Sequence, residues 1–159
     1  MAPDSYLRLI PSSIAEAIVQ TTSSSRRSFA IGCANVAVDY CTRAAVLGSA
    51  GGAELTLPEL RDQALAAREP REIEAIDRML GRREDQLYAA LTALRANDAE
   101  APYSEFVRLT AQRHAVRALR AALLPDGFSA AARAAFEAIS ATREDHEVEK
   151  LALATMPAA

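Results

Sequence analysis

The chain is short of several things. In 159 residues it has one lysine, two cysteines, no tryptophan and 5% aromatic residues. Two cysteines exclude a disulfide-built scaffold. If Cys33 and Cys41 share a helix, eight residues separate them by about 12 Å along its axis, beyond the roughly 7 Å reach of a disulfide. Long apolar runs are missing too. The most apolar stretch, Ala30 to Leu47, is interrupted by Asn35, Asp39 and Arg43, whereas a membrane-spanning helix needs about 20 predominantly apolar residues. Asp4, Arg8, Pro11 and Glu16 break up the N-terminal segment, so no signal peptide is expected and the expected location is cytoplasmic. The net charge of −3 and the pI near 5.5 argue against a surface that binds nucleic acid all over.

What the chain has in abundance is alanine, 36 residues, and arginine, 17. The pairing of these two with scarce lysine matches GC-rich coding and carries no functional weight. Both residues favour helices, and no alternating strand pattern is present. The sequence therefore predicts an all-α protein, an antiparallel bundle of about five helices with a long N-terminal helix and a C-terminal helical hairpin. Residues 1–12 read as an extended arm, 13–156 as one helical bundle domain and 157–159 as a loose end.

Local signals place the helices. Ser13 with Glu16, and Thr56 with Glu59, have the form of capping boxes. The polar run Thr21 to Ser28 is either a break or a weak section of a longer helix, and the continuous helix is favoured because no Gly or Pro punctuates it. Phe29, Cys33, Val36, Tyr40, Ala44 and Leu47 then recur at helical spacing, and Gly48, Gly51 and Gly52 end that helix. Pro70 divides two further helices, the second with Ile73, Leu80, Leu87 and Leu94 at seven-residue steps. Asn97 to Pro102 reads as a loop. Phe106, Leu109, Val116, Leu119 and Leu123 mark the next helix. Leu124-Pro125-Asp126-Gly127 turns the chain into a last helix, which Ser129 caps and which runs on into the charged segment Arg143 to Lys150.

Small side chains suggest a partner. A buried Leu or Phe contributes about 1.5 to 3 kcal/mol and an Ala much less, so a chain with few bulky residues needs close helix approach or burial against another chain. Ala30, Cys33, Ala34, Ala37, Cys41 and Ala44 are the candidate interface of a homo-oligomer. The second candidate is basic. No acidic residue lies between Glu105 and Asp126, while Arg113, Arg117 and Arg120 follow one another at steps of four and three and share a helix face. An antiparallel hairpin turning at Asp126-Gly127 would set Arg108 near Glu144, Asp145, Glu147 and Glu149, and Arg117 and Arg120 beside neutral segments. Arg113, Arg117 and Arg120 are thus the candidate docking face for an acidic protein or a nucleic acid.

Catalytic signals are sparse. Arg108, followed by five residues and His114, resembles the short Arg…His motif of the higher-eukaryote and prokaryote nucleotide-binding ribonucleases, which are helical bundles of similar size. The resemblance covers these two residues and implies a ribonuclease with Arg108 and His114 at its site; Leu109 stands where the family usually carries a polar residue. His146, with Asp145 and Glu149, supplies too few ligands for a metal site. There is no Gly-x-Ser-x-Gly elbow and no phosphate-binding Gly-Lys-Ser/Thr loop, so no cofactor is expected. A small-molecule pocket lined by Phe106, Tyr40 and Tyr88 is a further option. The leading expectation is a non-enzymatic scaffold that self-associates through its small-residue helix and docks an acidic or phosphate-bearing partner.

Overall fold

The computed structural model describes residues 3–44, 55–96 and 103–156. Of these, 86% are helical and none is in a strand. Among the described residues there are eight helices rather than about five: α1 (Pro3–Leu7), α2 (Ser12–Gln20), α3 (Ser23–Ala44), α4 (Leu57–Ala66), α5 (Pro70–Ala96), α6 (Tyr103–Ala122), α7 (Gly127–Thr142) and α8 (His146–Thr155). The glycines after Leu47, the 97–102 loop and the 157–159 end lie outside the described residues.

The additional helices come from three places where the chain breaks or winds unexpectedly. Residues 3–7, expected to be extended, form α1, and Tyr6 and Ile10 are buried. The helix expected to run through Thr21 to Ser28 stops and restarts at Thr21 and Thr22. Hydroxyl side chains compete there for backbone groups: the Ser25 N–H donates to Thr22 Oγ1 (3.1 Å). The Arg26 guanidinium then donates to the Ile18 and Val19 carbonyls (2.7 and 3.0 Å), which satisfies the exposed C-terminal end of α2. The third break is at Arg143, which adopts φ 62° and splits the expected last helix into α7 and α8. Its N–H still bonds the Ile139 carbonyl at 2.7 Å, while the Thr142 hydroxyl donates to the Ala138 and Glu144 carbonyls. An αL residue with such bonds is a helix C-cap, normally made with Gly or Asn.

Caps follow the same local chemistry. Thr56 accepts from the Glu59 N–H at 3.3 Å and its hydroxyl donates to Glu59 Oε1 at 3.0 Å. The Ser13–Glu16 box does not form; α2 starts at Ser12 behind Pro11, with no side-chain cap. Asp126, not Ser129, caps α7: its carboxylate accepts from the Ser129 hydroxyl (2.9 Å) and the Phe128 N–H (3.1 Å). The Ser129 hydroxyl bond, with the Phe128 N–H next, holds the Asp126 carboxyl below its usual range.

Helix α3 sits at the centre, packed most extensively on α7 and α6 and also on α8 and α4. Its buried residues are mostly small: Ala30, Cys33, Ala34, Ala37 and Cys41, around Phe29 and Val38. The helices packed on it bury alanines in turn, Ala115, Ala118 and Ala122 on α6 and Ala130, Ala134 and Ala138 on α7 among them. Where small meets small, backbones can approach closely and keep interior packing density without bulky side chains. Gly32 marks the same seam toward α8, since a Cβ there would lie 2.7 Å from Leu151 Cδ2. On α5 the buried stripe is Ile76, Leu80, Leu87 and Leu91. Burial pushes the Cys33 thiol well above its ordinary pKa and that of Cys41 up to about 12. No described helix is long and apolar enough to cross a membrane.

Candidate functional site

Helix α6 carries Arg113, Arg117 and Arg120 along one side, and each meets a different environment. Arg120 crosses to α5 over Gly81, whose missing Cβ would stand 3.6 Å from the guanidinium. It grips Asp77 with two nitrogens (Nε–Oδ1 2.9 Å, Nη2–Oδ2 3.3 Å) and Glu84 with the third (3.2 Å). The Asp77 hydrogen bond is the main cause of its raised pKa. Arg117 Nε lies 3.0 Å from Glu137 Oε1 on α7, and His114 Nδ1 lies 2.7 Å from the other oxygen of the same carboxylate. Glu137 has only 4% of its side chain exposed and is the one buried charged residue among those described. A buried carboxylate is stable only when its oxygens are occupied, and both of these are.

The expected surroundings of the arginines are therefore corrected. Arg117 and Arg120 do not face neutral segments; they are ion-paired. The turn at Leu124 to Asp126 does fold α7 back on α6, but α7 carries Glu137 toward Arg117, and α5 supplies the two carboxylates for Arg120. Arg108 does not reach the acidic cluster at 144–149. It pairs with Glu105 one turn earlier on its own helix (Nε–Oε2 2.9 Å), and that bond lowers the Glu105 pKa and raises that of Arg108. Arg108 and His114 are thus bound to two different carboxylates.

Arg113 and Arg133 are held by aromatic rings and not by carboxylates. Arg113 lies over the Tyr88 ring (5.2 Å to the centroid) and Arg133 over the Tyr6 ring (5.0 Å). In both, the Nε is buried without a hydrogen-bond partner. Tyr6 is itself fixed by an edge-on contact with Phe136 at 5.7 Å. Cation–π contact offsets part of the desolvation of a guanidinium, but it occupies none of the N–H donors.

Arg133 is set apart from Arg113 by its position on a pocket of about 300 Å³ between α1, α5, α6 and α7. Helix α5 contributes Asp77 and Glu84 to its lining, α6 Arg117 and Arg120, and α7 Arg133 and Glu137. Tyr6, Ala121 and Leu124 provide the apolar part. The sequence reading singled out Arg117 and Arg120 but missed the other members. A signal for two of them was present: Arg133 and Glu137, four apart, are the only charged residues in α7. Asp77 and Glu84 come from a helix so rich in charge that nothing distinguished them.

The other candidates go elsewhere. Ala30, Cys33, Ala34, Ala37 and Cys41 are between 0 and 4% exposed within the chain itself, covered by its own helices; the Ala44 side chain lies outside what is described. Tyr88 is exposed, Phe106 carries the Arg95 guanidinium, and neither they nor Tyr40 line the pocket. His146 is exposed at the start of α8, and among the described residues no three His, Cys, Asp or Glu side chains are grouped to hold a metal ion. No protein-family model, no curated protein and no solved structure matches this chain.

Proposed function

We propose that the chain is a non-enzymatic binding module that captures an anionic group, a carboxylate or a phosphate, in the pocket lined by Arg117, Arg120 and Arg133. The observation that carries this reading is Arg133. It borders a polar cavity, its guanidinium offers N–H donors and no acceptor, and no carboxylate of the described residues is within ion-pair distance of it. Its nearest acidic neighbour on the helix, Glu137, is already held by Arg117 and His114. Planar guanidinium donors suit carboxylate and phosphate oxygens, which they can bind in pairs.

This keeps the anion-docking half of the sequence reading and moves it from an open helix face into a pocket. The small side chains of α3 named for self-association are buried within the chain itself and do not add support to that half. The ribonuclease reading is not favoured either, since Arg108 and His114 are directed to separate carboxylates.

The test is the melting temperature of the full chain with acetate, citrate or inorganic phosphate, against chloride at equal ionic strength. Binding to the folded state alone raises stability by about 2.7 kcal/mol at a hundredfold excess over Kd, or several degrees in Tm for a chain of this size. The rise is expected in the native protein and not in Arg133→Gln. An equal rise in both, or none in the native protein, would reject the proposal.

A further inference from the structure

We infer that the anionic group belongs to a small zwitterion of the amino-acid class, whose ammonium group is received by the carboxylates of α5. This inference rests on the binding reading above and extends it to the other half of the pocket. The charges there are not mixed evenly. On the α5 side Asp77 and Glu84 face a single guanidinium, that of Arg120, leaving one negative charge in excess. On the α7 side two guanidiniums, Arg117 and Arg133, accompany the one carboxylate of Glu137, leaving one positive charge in excess. The six charges lining the pocket sum to zero, but each group carries one charge that its own ion pairs leave unanswered.

A simple anion would answer Arg133 and leave the α5 pole unmatched, and a simple cation would do the reverse. A ligand with both charges answers both. Glu84 is suited to the ammonium group: its side chain is only 20% exposed, and Oε1 is held by Arg120 while Oε2 has no hydrogen-bond partner among the described residues. Size agrees with this. A volume of about 300 Å³ is at the lower end for ligand pockets and equals roughly ten waters at about 30 Å³ each, which is the scale of a free amino acid. Tyr6, Ala121 and Leu124 would meet its side chain.

The experiment titrates the full chain with each of the twenty standard amino acids by calorimetry and thermal shift. The best binder is then compared with its des-amino carboxylate and its decarboxylated amine. The amino acid is expected to bind at least tenfold more tightly than either analogue. In Glu84→Gln, which leaves the two-point Arg120–Asp77 pair in place, the amino acid should lose its advantage over its des-amino analogue. Arg133→Gln should lose the amino acid and the carboxylate together. The matched ligands on the native protein decide the matter even if a variant fails to fold. If no amino acid binds, or the des-amino carboxylate binds equally well, the zwitterion inference is overturned. In that event a Tm rise with acetate or phosphate still upholds the anion pocket, whereas silence from every ligand rejects both.

Discussion

Helix α6 has two opposite seams built on the same arithmetic. Ala111, Ala115, Ala118 and Ala122 are buried and recur at steps of four, three and four; Arg113, Arg117 and Arg120 recur at steps of four and three. The two series are offset by two residues, which is about 200° around the helix. The alanine side supports a dry contact in which nothing polar needs a partner. The arginine side supports a wet one, where long side chains reach to Asp77, Glu84 and Glu137 and leave a cavity between them. The difference shows how one helix can hold the fold together and make a site. Short side chains draw helices together on one side, while long charged ones hold them apart on the other.

The largest effect is expected where the wet seam is most buried. Glu137→Ala removes the carboxylate that both Arg117 and His114 contact, leaving an unpaired guanidinium on a partly buried wall. Breaking a buried pair typically costs 3 to 5 kcal/mol, and a third of the Arg117 side chain remains in water, so about 3 kcal/mol is expected. The same change at Glu105, whose side chain is 38% exposed and whose partner Arg108 is one turn away on the same helix, should cost about 0.5 kcal/mol or less. Urea unfolding of the two variants measures the contrast; equal costs would mean that burial of Glu137 does not set its energetics.

A smaller loss is expected from the dry seam. Ala37 is fully buried in α3, and Ala37→Leu forces three additional carbons into a contact between helices, at about 1 to 3 kcal/mol. The urea midpoint should fall with little change in slope. If stability is unchanged while the solution mass drops, the small-residue face of α3 serves a second chain, and the division between seams drawn here is wrong.

The two seams were not equally legible in the sequence. The helical class could be read because alanine and arginine act locally, and the turn at Leu124 to Gly127 because Pro and Asp-Gly do. The hydroxyl-rich run at Thr21 to Ser28 leaves break and continuous helix both open, and the break at Arg143 has no sequence signal; each is decided by a bond that spacing does not encode, Arg26 reaching back to the Ile18 carbonyl and Thr142 bridging to Glu144. The stripe of Ala30, Ala34 and Ala37 was visible as a contact surface, but its periodicity is the same whether the opposing helix belongs to the same chain or to another. Counting bulky residues favoured another chain, whereas the structure buries these residues among helices of the same chain. The pocket was half visible. Arg117 and Arg120 stood out as cations in a stretch free of acids, whereas their carboxylates come from residues 20 to 43 positions away and become partners only when α5 and α7 are docked.

The smallest expected effect lies where the wet seam crosses a helix backbone. Gly81 is in the interior of α5, where glycine costs about 0.5 to 1 kcal/mol relative to alanine. An added Cβ would meet the Arg120 guanidinium at 3.6 Å, an ordinary van der Waals separation, so the methyl group fits beneath the guanidinium without displacing it. Gly81→Ala should therefore stabilise the protein by about 0.5 to 1 kcal/mol, or roughly 2 °C in Tm, and leave ligand binding unaltered. Gly32 supplies the contrast. The helix-propensity gain is the same there, but the Cβ would meet Leu151 at 2.7 Å, so α8 must shift to admit it and the gain should shrink or reverse. A loss at Gly81 comparable to that at Gly32 would show that the bare backbone is part of how Arg120 is held between Asp77 and Glu84, which would make the wet seam as closely fitted as the dry one.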